Sequence, residues 1–235
     1  MVIETRTESD TPQRIPLTRG RVLEAAVELA DSAGIGGLTM RKLAEALGVE
    51  AMSLYYHVAN KEALLDGVVE VIIDEINQAT SLIEAPPGDD WKSALRLRIL
   101  TARTVMLRHK WAPKVIEDRT TMNPALLHYF HGILEVFRAG GVSYDLAHHA
   151  MHTLGSRALG FTQELFEPDS DSDDEEQSEE MLAQMAAELP LLVEMLSEIV
   201  HDDPDSTIGW CDDQTEFEFG LDVILDGLER LRQTA

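Results

Sequence analysis

The chain has 235 residues, a formal net charge of −24 at pH 7 and a single cysteine. This length allows one large domain or two small ones with a sizeable core. One cysteine excludes an internal disulfide and fits a reducing cytoplasm, where we expect the protein to act. No apolar run reaches the length of a membrane span, and the charged N-terminus is not a secretory signal, so we expect no membrane partner.

The negative charge is distributed unevenly along the chain. Residues 1–61 carry 7 Lys/Arg and 8 Asp/Glu, whereas residues 62–235 carry 12 and 35. An acidic region repels DNA and therefore helps to point the near-neutral N-terminal end toward a DNA partner. Screening over about 8 Å at physiological salt limits this repulsion to nearby charges. The acidic composition therefore does not exclude nucleic-acid binding by the N-terminal part of the chain.

The first predicted helix follows a polar segment, residues 1–16, that we expect to be a flexible tail. Val22, Ala26, Leu29 and Ala33 then recur at intervals of 4, 3 and 4 residues. This spacing places apolar side chains on one face of an amphipathic helix.

Residues 38–67 have the pattern of a helix-turn-helix followed by a connecting helix. Thr39 stands at the N-cap position of the first helix, and Gly48, which takes a positive φ at little cost, supplies the turn. A short second helix starts near Ala51, and Asn60 can cap the third. This order of elements predicts a reading helix that lies in a DNA major groove.

The rest of the chain is almost entirely helical in pattern, without the alternation typical of strands. Residues 85–90 contain two prolines and a glycine and are predicted to interrupt the helical structure. Pro113 is expected to end or kink the segment in which it lies. Residues 167–180 contain 9 acids in 14 residues and are predicted to form a disordered loop. Helices are predicted at about 60–80, 91–108, 124–140, 144–166, 180–200 and 214–231.

Four segments resemble the DNA-binding domain of the tetracycline-repressor (TetR) family of bacterial transcription regulators. They are TRGRVLEAAVELADSAG at 18–34, GIGGLT at 34–39, LGV at 47–49 and LYYHVANKEALLD at 54–66. The resemblance is strong over roughly residues 17–77. The remainder is similar to the C-terminal domain of the tetracycline-repressor branch in helix order, in its acidic linker and in its final helix.

The resemblance implies an all-α protein with two domains. A three-helix helix-turn-helix domain for DNA binding would cover residues 17–62, and a helical domain for ligand binding and dimerisation would cover residues 63–235. The implied function is a DNA-binding regulator, in the first place a repressor released from its operator by a small organic ligand. The sequence contains no nucleophile elbow, phosphate loop or metal motif, so we expect no catalytic residues, no cofactor and no enzymatic activity.

The resemblance also implies which residues lie at or near double-stranded operator DNA. Arg41 can make a bidentate contact to guanine or bind a phosphate, whereas Tyr56 and His57 suit backbone phosphates. Two positions have an alternative: Tyr55 could belong to the core, and Thr39 could be a structural cap only. The nine residues are Thr39, Arg41, Ala51, Met52, Ser53, Tyr55, Tyr56, His57 and Lys61.

Dimerisation is expected because one short helix reads too few bases. The resemblance implies a four-helix interface made from the helices at about 144–166 and 214–231 of two copies. In the last helix, an apolar stripe runs through Phe217, Leu221, Ile224, Leu225 and Leu228. A single copy could also bury that stripe internally, so the stripe does not by itself prove a dimer.

An unknown small-molecule effector is expected in an apolar pocket of the C-terminal domain. Candidate lining residues are Met106, Trp111, Ile116, Phe130, Leu134, Met151 and Leu154. Three positions align with drug or magnesium contacts of the tetracycline-repressor branch, namely Asn77, Ile116 and Glu164. Since the first two differ from the histidines of that branch, a magnesium–tetracycline complex is not expected.

Five histidines fall between residues 128 and 152. His148 and His152 are spaced i, i+4, which can hold zinc, and His128 and His131 are spaced i, i+3. A metal-responsive regulator is therefore one alternative, although some histidines could instead line the ligand pocket as hydrogen-bond donors. A second alternative is an acidic scaffold that has lost DNA binding.

Overall fold

The computed structural model describes residues 16–83, 90–119, 123–160, 187–198 and 213–234. Regular structure in these ranges is entirely α-helical, which confirms the predicted fold class. The helices are α1 Arg19–Gly37, α2 Met40–Leu47, α3 Ala51–Leu54, α4 Lys61–Thr80, α5 Trp91–Arg108, α6 Ala112–Glu117, α7 Pro124–Ala139, α8 Tyr144–Gly160, α9 Pro190–Glu198 and α10 Asp213–Thr234. The predicted tail, apart from residue 16, and the acidic loop at 167–180 lie outside the described residues.

Two predictions about prolines were wrong. Pro113 lies in the first turn of α6 rather than at a helix end, because the chain leaves the helix earlier, at His109. A missing N–H is harmless in a first turn, where it would have no partner. The predicted helix at 180–200 is interrupted at Leu189, directly before Pro190. Proline disfavours the helical conformation of the residue before it, so α9 begins at Pro190.

The chain forms two compact units, one ending at Val71 and the other beginning at Ile72. Helices α1 to α3 and the first half of α4 belong to the first unit, whose core is formed by buried aliphatic side chains. Gly67 lets α4 approach α1 closely, since a Cβ there would lie 2.5 Å from Cδ2 of Leu23. Arg19 and Glu70 join the same two helices by an ion pair of 2.7 Å.

The second unit is built around the aromatic side chains of α5, α7 and α10. Trp91, Phe137 and Phe217 are completely buried, and the first two rings pack at a centroid distance of 5.7 Å. Arg96 in α5 binds Glu218 at 2.6 Å and Asp222 at 2.7 Å, both in α10. These ion pairs fix the side of α10 that faces α5.

The apolar stripe predicted in the last helix is buried within a single copy of the chain. Phe217, Leu221, Leu225 and Leu228 belong to the core of the second unit, and Ile224 packs against that core while remaining partly exposed. The stripe therefore contributes to the core of the second unit, and these side chains are not available for a dimer interface.

Glu229 predicts a pH dependence of stability. Its carboxylate accepts hydrogen bonds from Arg232 at 2.7 Å and from the buried indole of Trp91 at 3.0 Å. Chiefly through Arg232, the pKa of Glu229 is lowered from 4.5 to about 2. A lowered pKa in the folded state stabilises the protein above about pH 4.5, and this contribution is lost as the pH falls toward 2.

We expect Glu229→Gln to cost roughly 1 kcal/mol at pH 7, a value suited to a partly exposed ion pair. The variant keeps an acceptor for Trp91 but loses the charge, so the difference from wild type should disappear near pH 2. Urea unfolding of both proteins between pH 7 and pH 2.5 would measure it. A stability difference that is independent of pH would contradict this role.

Candidate DNA-binding face and ligand cavity

The helix-turn-helix is formed by caps that the sequence predicted. Oγ1 of Thr39 accepts from the backbone N–H of Lys42 at 3.2 Å, and Gly48 ends α2 in the left-handed region at φ 64°. Oδ1 of Asn60 accepts from the N–H of Ala63 at 2.8 Å, so the predicted cap of α4 is confirmed. Together these contacts set both ends of α2 and the start of α4, the two helices between which the short α3 lies.

In the first unit, the predicted DNA-contacting residues are more exposed than the residues of the core. Leu43, Leu54 and Val58 are buried, as predicted for core residues. The nine predicted DNA-contacting residues are all exposed or half-exposed. Met52 is 71% exposed and Tyr56 is 89% exposed. Such high exposure of large side chains indicates that they contact a partner or face solvent.

Two residues of this face had alternative interpretations. Tyr55 is 44% exposed, so it is not a fully buried core residue. Thr39 caps α2 and is also exposed, so its capping role does not exclude a contact with DNA. Arg41 forms an ion pair of 3.0 Å with Glu45, four residues further along α2. Since exposed pairs of this kind contribute little, DNA can displace Glu45 at small cost.

The second unit contains a cavity of about 350 Å³ lined by residues of α4, α5, α6, α7 and α8. Five of the nine residues predicted for a ligand pocket line it. They are Met106, Ile116, Phe130, Met151 and Leu154.

Three of the other predicted pocket residues, Asn77, Trp111 and Leu134, do not line this cavity. The amide of Asn77 donates to the carbonyl of Ala125 at 3.0 Å, which ties α4 to the start of α7. Trp111 is buried beside the ring of His109, and Leu134 packs against the core. Glu164 lies outside the described residues.

Sequence reasoning missed several residues that line the cavity. They include Ile73, Ile76, Leu95, Ile99, Tyr129 and Gly155. Most have the helical spacing of ordinary core residues, so no sequence signal separates the two roles. Gly155 is different, because none of the described residues would lie within 4 Å of a Cβ there. A side chain at this position of α8 would therefore meet no described neighbour at its first carbon.

Polar groups on the cavity wall are few. They come from Glu117, Tyr129, His152 and Ser156. The Ser156 hydroxyl donates to the carbonyl of His152 at 3.0 Å. Burial raises the pKa of Tyr129 to about 12, and the charge of Arg98 acts in the opposite direction. Tyr129 is therefore a neutral hydroxyl at physiological pH.

The second half of α4 is held by polar contacts next to the cavity. Carboxylate oxygens of Glu75 lie 3.2 Å from Nε2 of His109 and 2.5 Å from a guanidinium nitrogen of Arg108. Ile73 and Ile76 flank Glu75 in sequence and line the cavity. The same turn of α4 therefore carries both cavity-lining side chains and a carboxylate that is bound to Arg108 and His109.

The histidines form a cluster on the exposed side of α8. The rings of His148 and His152 are 4.7 Å apart in an edge-to-face arrangement, and His149 packs against His148. Among the described residues, no three His, Cys, Asp or Glu side chains are grouped so that they could hold a metal ion. The metal-responsive alternative therefore gains no support, whereas His152 does line the cavity.

A capped helix-turn-helix with an exposed second helix defines a DNA-binding transcription regulator. Residues 22–68 match the family described as bacterial regulatory proteins, tetR family, and residues 84–232 match the tetracycline repressor-like C-terminal domain. The chain belongs to the tetR family of DNA-binding transcriptional repressors, which are not enzymes. Regulators of this family bind operator DNA as dimers and bind small-molecule effectors.

Two characterised relatives cover most of the chain. The tetracycline repressor protein class C of Escherichia coli is 30% identical over 219 residues, which is 93% of each chain. The transcriptional repressor DrrR1 of Streptomyces coeruleorubidus is 31% identical over 229 residues, covering 94% of this chain and 81% of the relative.

Solved structures have the same fold. TetR from Acinetobacter baumannii has a TM-score of 0.66 and 28% identity, with 92% of this chain and 99% of that chain covered. Apo ActR from Streptomyces coelicolor has a TM-score of 0.70, covers 94% and 98% of the two chains, and shares 23% identity, so this similarity concerns the fold alone. In the part of the chain that the structure describes, no helix is long and apolar enough to cross a membrane.

Proposed function

We propose that the protein is a dimeric cytoplasmic repressor that binds an operator through residues 39–61 and is released by a small organic ligand in the cavity. The observation that carries this proposal is the continuity of α4. The helix begins at Lys61, a proposed phosphate contact, and continues to Ile73 and Ile76 on the cavity wall. One continuous helix therefore carries both a proposed DNA contact and residues of the cavity wall.

The proposed DNA contacts divide into two groups. Arg41, Ser53, Ala51 and Met52 would reach base edges, where arginine can bind guanine and the apolar side chains can contact a thymine methyl. Tyr56, His57 and Lys61, together with Thr39 and Tyr55, would position the helix against the phosphate backbone. The exposure of all nine side chains supports this assignment.

The proposed dimer uses the helices at about 144–166 and 214–231. Phe219, Val223 and Leu231 lie four to eight residues apart in α10, and each is more than half exposed. Their spacing places them on one face of the helix, and exposed apolar side chains in a row are typical of an interface. The exposed histidines of α8 would lie in the same interface.

The proposed effector is an organic molecule bound without a magnesium ion. A related TetR from Acinetobacter baumannii, 28% identical, has been crystallised as a variant with minocycline. In this chain the wall position that aligns with the magnesium-binding histidine of that branch is the apolar Ile116. The amide of Asn77, at the other aligned position, is already bound to the carbonyl of Ala125. These contacts favour a ligand of different chemistry.

The proposed mechanism is a shift of α4 in response to the ligand. The ligand would have to favour a dimer whose reading helices do not match half-sites about 34–36 Å apart. A coupling free energy of about 1–3 kcal/mol is typical, and operator DNA must weaken ligand binding by the same factor. The contacts of Glu75 with Arg108 and His109 are suited to transmit this shift.

Two substitutions test the proposed DNA face. We expect Arg41→Ala to lower operator affinity by roughly 1–3 kcal/mol and to relax specificity at one position of each half-site. Lys61→Ala should weaken binding to all sequences and make the salt dependence shallower by about one ion per lost phosphate contact. Titration of selected operator DNA at several salt concentrations measures both effects.

Lys110→Ala is the matched control, because it removes the same charge from an exposed position of the second unit. It should leave the affinity and its salt dependence nearly unchanged. If the Arg41 and Lys61 variants behave like this control, the assigned DNA face is wrong.

A further inference from the structure

The wall of the cavity differs in polarity between its buried and its exposed residues. The lining side chains that are buried come from α4, α5, α7 and α8, and all of them are apolar. By contrast, Glu117, His152 and Ser156 line the cavity and are exposed. The cavity of about 350 Å³ therefore has an apolar interior, and these three residues form a polar rim.

The charge of the rim is negative. Among the described residues, the wall contains one acidic side chain, Glu117, and no lysine or arginine. Lys114, in the same helix, pairs with Asp118 at 3.1 Å. Neither Lys114 nor Arg119, the basic residues nearest in sequence, forms an ion pair with Glu117. Within the described part of the chain, the carboxylate of Glu117 is therefore not compensated by a basic side chain.

The two polar residues of the rim in α8 add hydrogen-bond acceptors. The Ser156 hydroxyl donates its proton to the carbonyl of His152 at 3.0 Å, so its oxygen can still accept. A neutral imidazole at His152 offers one acceptor nitrogen, and the carboxylate of Glu117 is acceptor-only. An ammonium group has only donors, so it complements such a rim better than a carboxylate or a sulfonate does.

Two further features favour a positively charged ligand. Residues 62–235 carry 12 Lys/Arg and 35 Asp/Glu, and a surplus of negative charge raises the local concentration of cations. The rings of Tyr129 and Phe130 also belong to the wall, with their centroids 6.2 Å apart. The face of an aromatic ring attracts an ammonium group that lies within about 6 Å of its centroid.

We infer that the cavity binds a compact organic cation, whose apolar body fills the buried part and whose ammonium group lies at the rim against Glu117. This inference rests on the proposed function, since it specifies the chemistry of the effector. An ammonium group at an exposed rim stays partly hydrated, so the large cost of burying a charge is avoided. The volume, at the low end for small-molecule sites, limits the body to a few rings.

Three naphthalene probes of nearly the same size test the inference by titration calorimetry with the full chain and without DNA. Naphthylmethylamine is a cation at pH 7, as a lysine side chain is, naphthylmethanol is neutral and naphthoate is an anion. We expect the amine to bind about 5-fold more tightly than the alcohol, and naphthoate to bind most weakly. A preference for the amine of less than about 2-fold, or tightest binding of naphthoate, would overturn the inference.

Substitutions at the rim then locate the ammonium group. Glu117→Gln should lower the affinity for the amine to within about 2-fold of that for the alcohol, and leave the alcohol unchanged. Glu117→Asp keeps the charge and should keep most of the preference, whereas Glu117→Lys should favour naphthoate over the amine. Packing should be unaffected, because Glu117 is exposed at the end of α6.

Glu135→Gln is the matched control, because it removes the same charge from an exposed position of the second unit that does not line the cavity. It should leave the preference for the amine nearly unchanged. If Glu135→Gln and Glu117→Gln reduce the preference equally, the general acidity of the unit selects the cation and the inference is wrong.

A further substitution shows whether the amine enters the cavity. Gly155→Trp should abolish binding of the amine and of the alcohol, and binding of the amine that survives this change would place the cation on the surface and overturn the inference. The proposed function can fail separately. If no ligand of the cavity releases the operator, the proposed function is rejected while the preference for cations stands. If operator release occurs but the preference is absent, only the inference fails.

Discussion

Replacing Gly155 with tryptophan should abolish the response to an effector while leaving operator binding within about 3-fold of wild type. Gly155 lies in α8 on the cavity wall, and no atom of the described residues lies within 4 Å of the position that a Cβ would take. An indole ring placed there would occupy a large part of about 350 Å³. We expect effector affinity to fall about 100-fold or more, which corresponds to roughly 3 kcal/mol.

The substitution has a physical advantage over filling the cavity from a core position. Leu134, one of the residues predicted to line the pocket, packs against the core, so a larger residue there would strain the fold instead. Gly155→Ala is the matched control, because it fills little space and should raise helix stability by about 0.5–1 kcal/mol. Gly160→Trp adds the same ring to α8 at a position that does not line the cavity.

The measurement is operator release by an effector found with the wild-type protein. Release should survive in Gly155→Ala and Gly160→Trp and be lost in Gly155→Trp. If Gly155→Trp still releases the operator at the wild-type effector concentration, the effector binds elsewhere.

Replacing Gly140 with alanine should destabilise the second unit by about 2–4 kcal/mol. A Cβ at Gly140 would lie 2.5 Å from Cβ and Cδ1 of Trp91. Trp91 cannot easily move away, since it is completely buried, packs against Phe137 and donates to Glu229 at 3.0 Å. The backbone of Gly140 has φ −78°, which alanine adopts without strain, so the expected loss is purely steric.

Gly141 is the matched control for this prediction. It has φ 73°, where alanine is strained, but a Cβ there would find its nearest neighbour, a guanidinium nitrogen of Arg232, at 3.8 Å. Gly141→Ala should therefore cost only about 1–2 kcal/mol, from the backbone conformation. Urea midpoints at constant m-value measure both losses. A larger loss for Gly141→Ala than for Gly140→Ala would contradict the packing of Trp91.

Most of the fold could be predicted because local signals agree with one another. Thr39, Gly48 and Asn60 mark helix ends by their chemistry, and the structure has caps or a left-handed turn at each. The bounds of α5 also match the prediction, because the break at 85–90 and the end at Arg108 are marked by composition. Prolines were harder to interpret, since Pro113 can equally end one helix or begin the next.

The cavity could be predicted only in part, for a physical reason. Met106 and Ile116 line it and Trp111 and Leu134 do not, yet all four are buried or partly buried apolar residues. Whether an apolar side chain meets a neighbour or an empty space depends on how helices pack, which spacing along one helix does not contain.

Operator binding by a dimer is tested most directly by selection of DNA from a random pool with the purified protein, followed by footprinting of the enriched sequence. We expect a two-fold symmetric operator with two half-sites whose centres are about 34–36 Å apart, protected together. Tyr56→Ala should lose this protection at protein concentrations that saturate wild type, because an exposed phosphate contact is removed from both copies. Enrichment of no sequence, or protection of a single half-site by one copy, would contradict a dimeric operator-binding repressor.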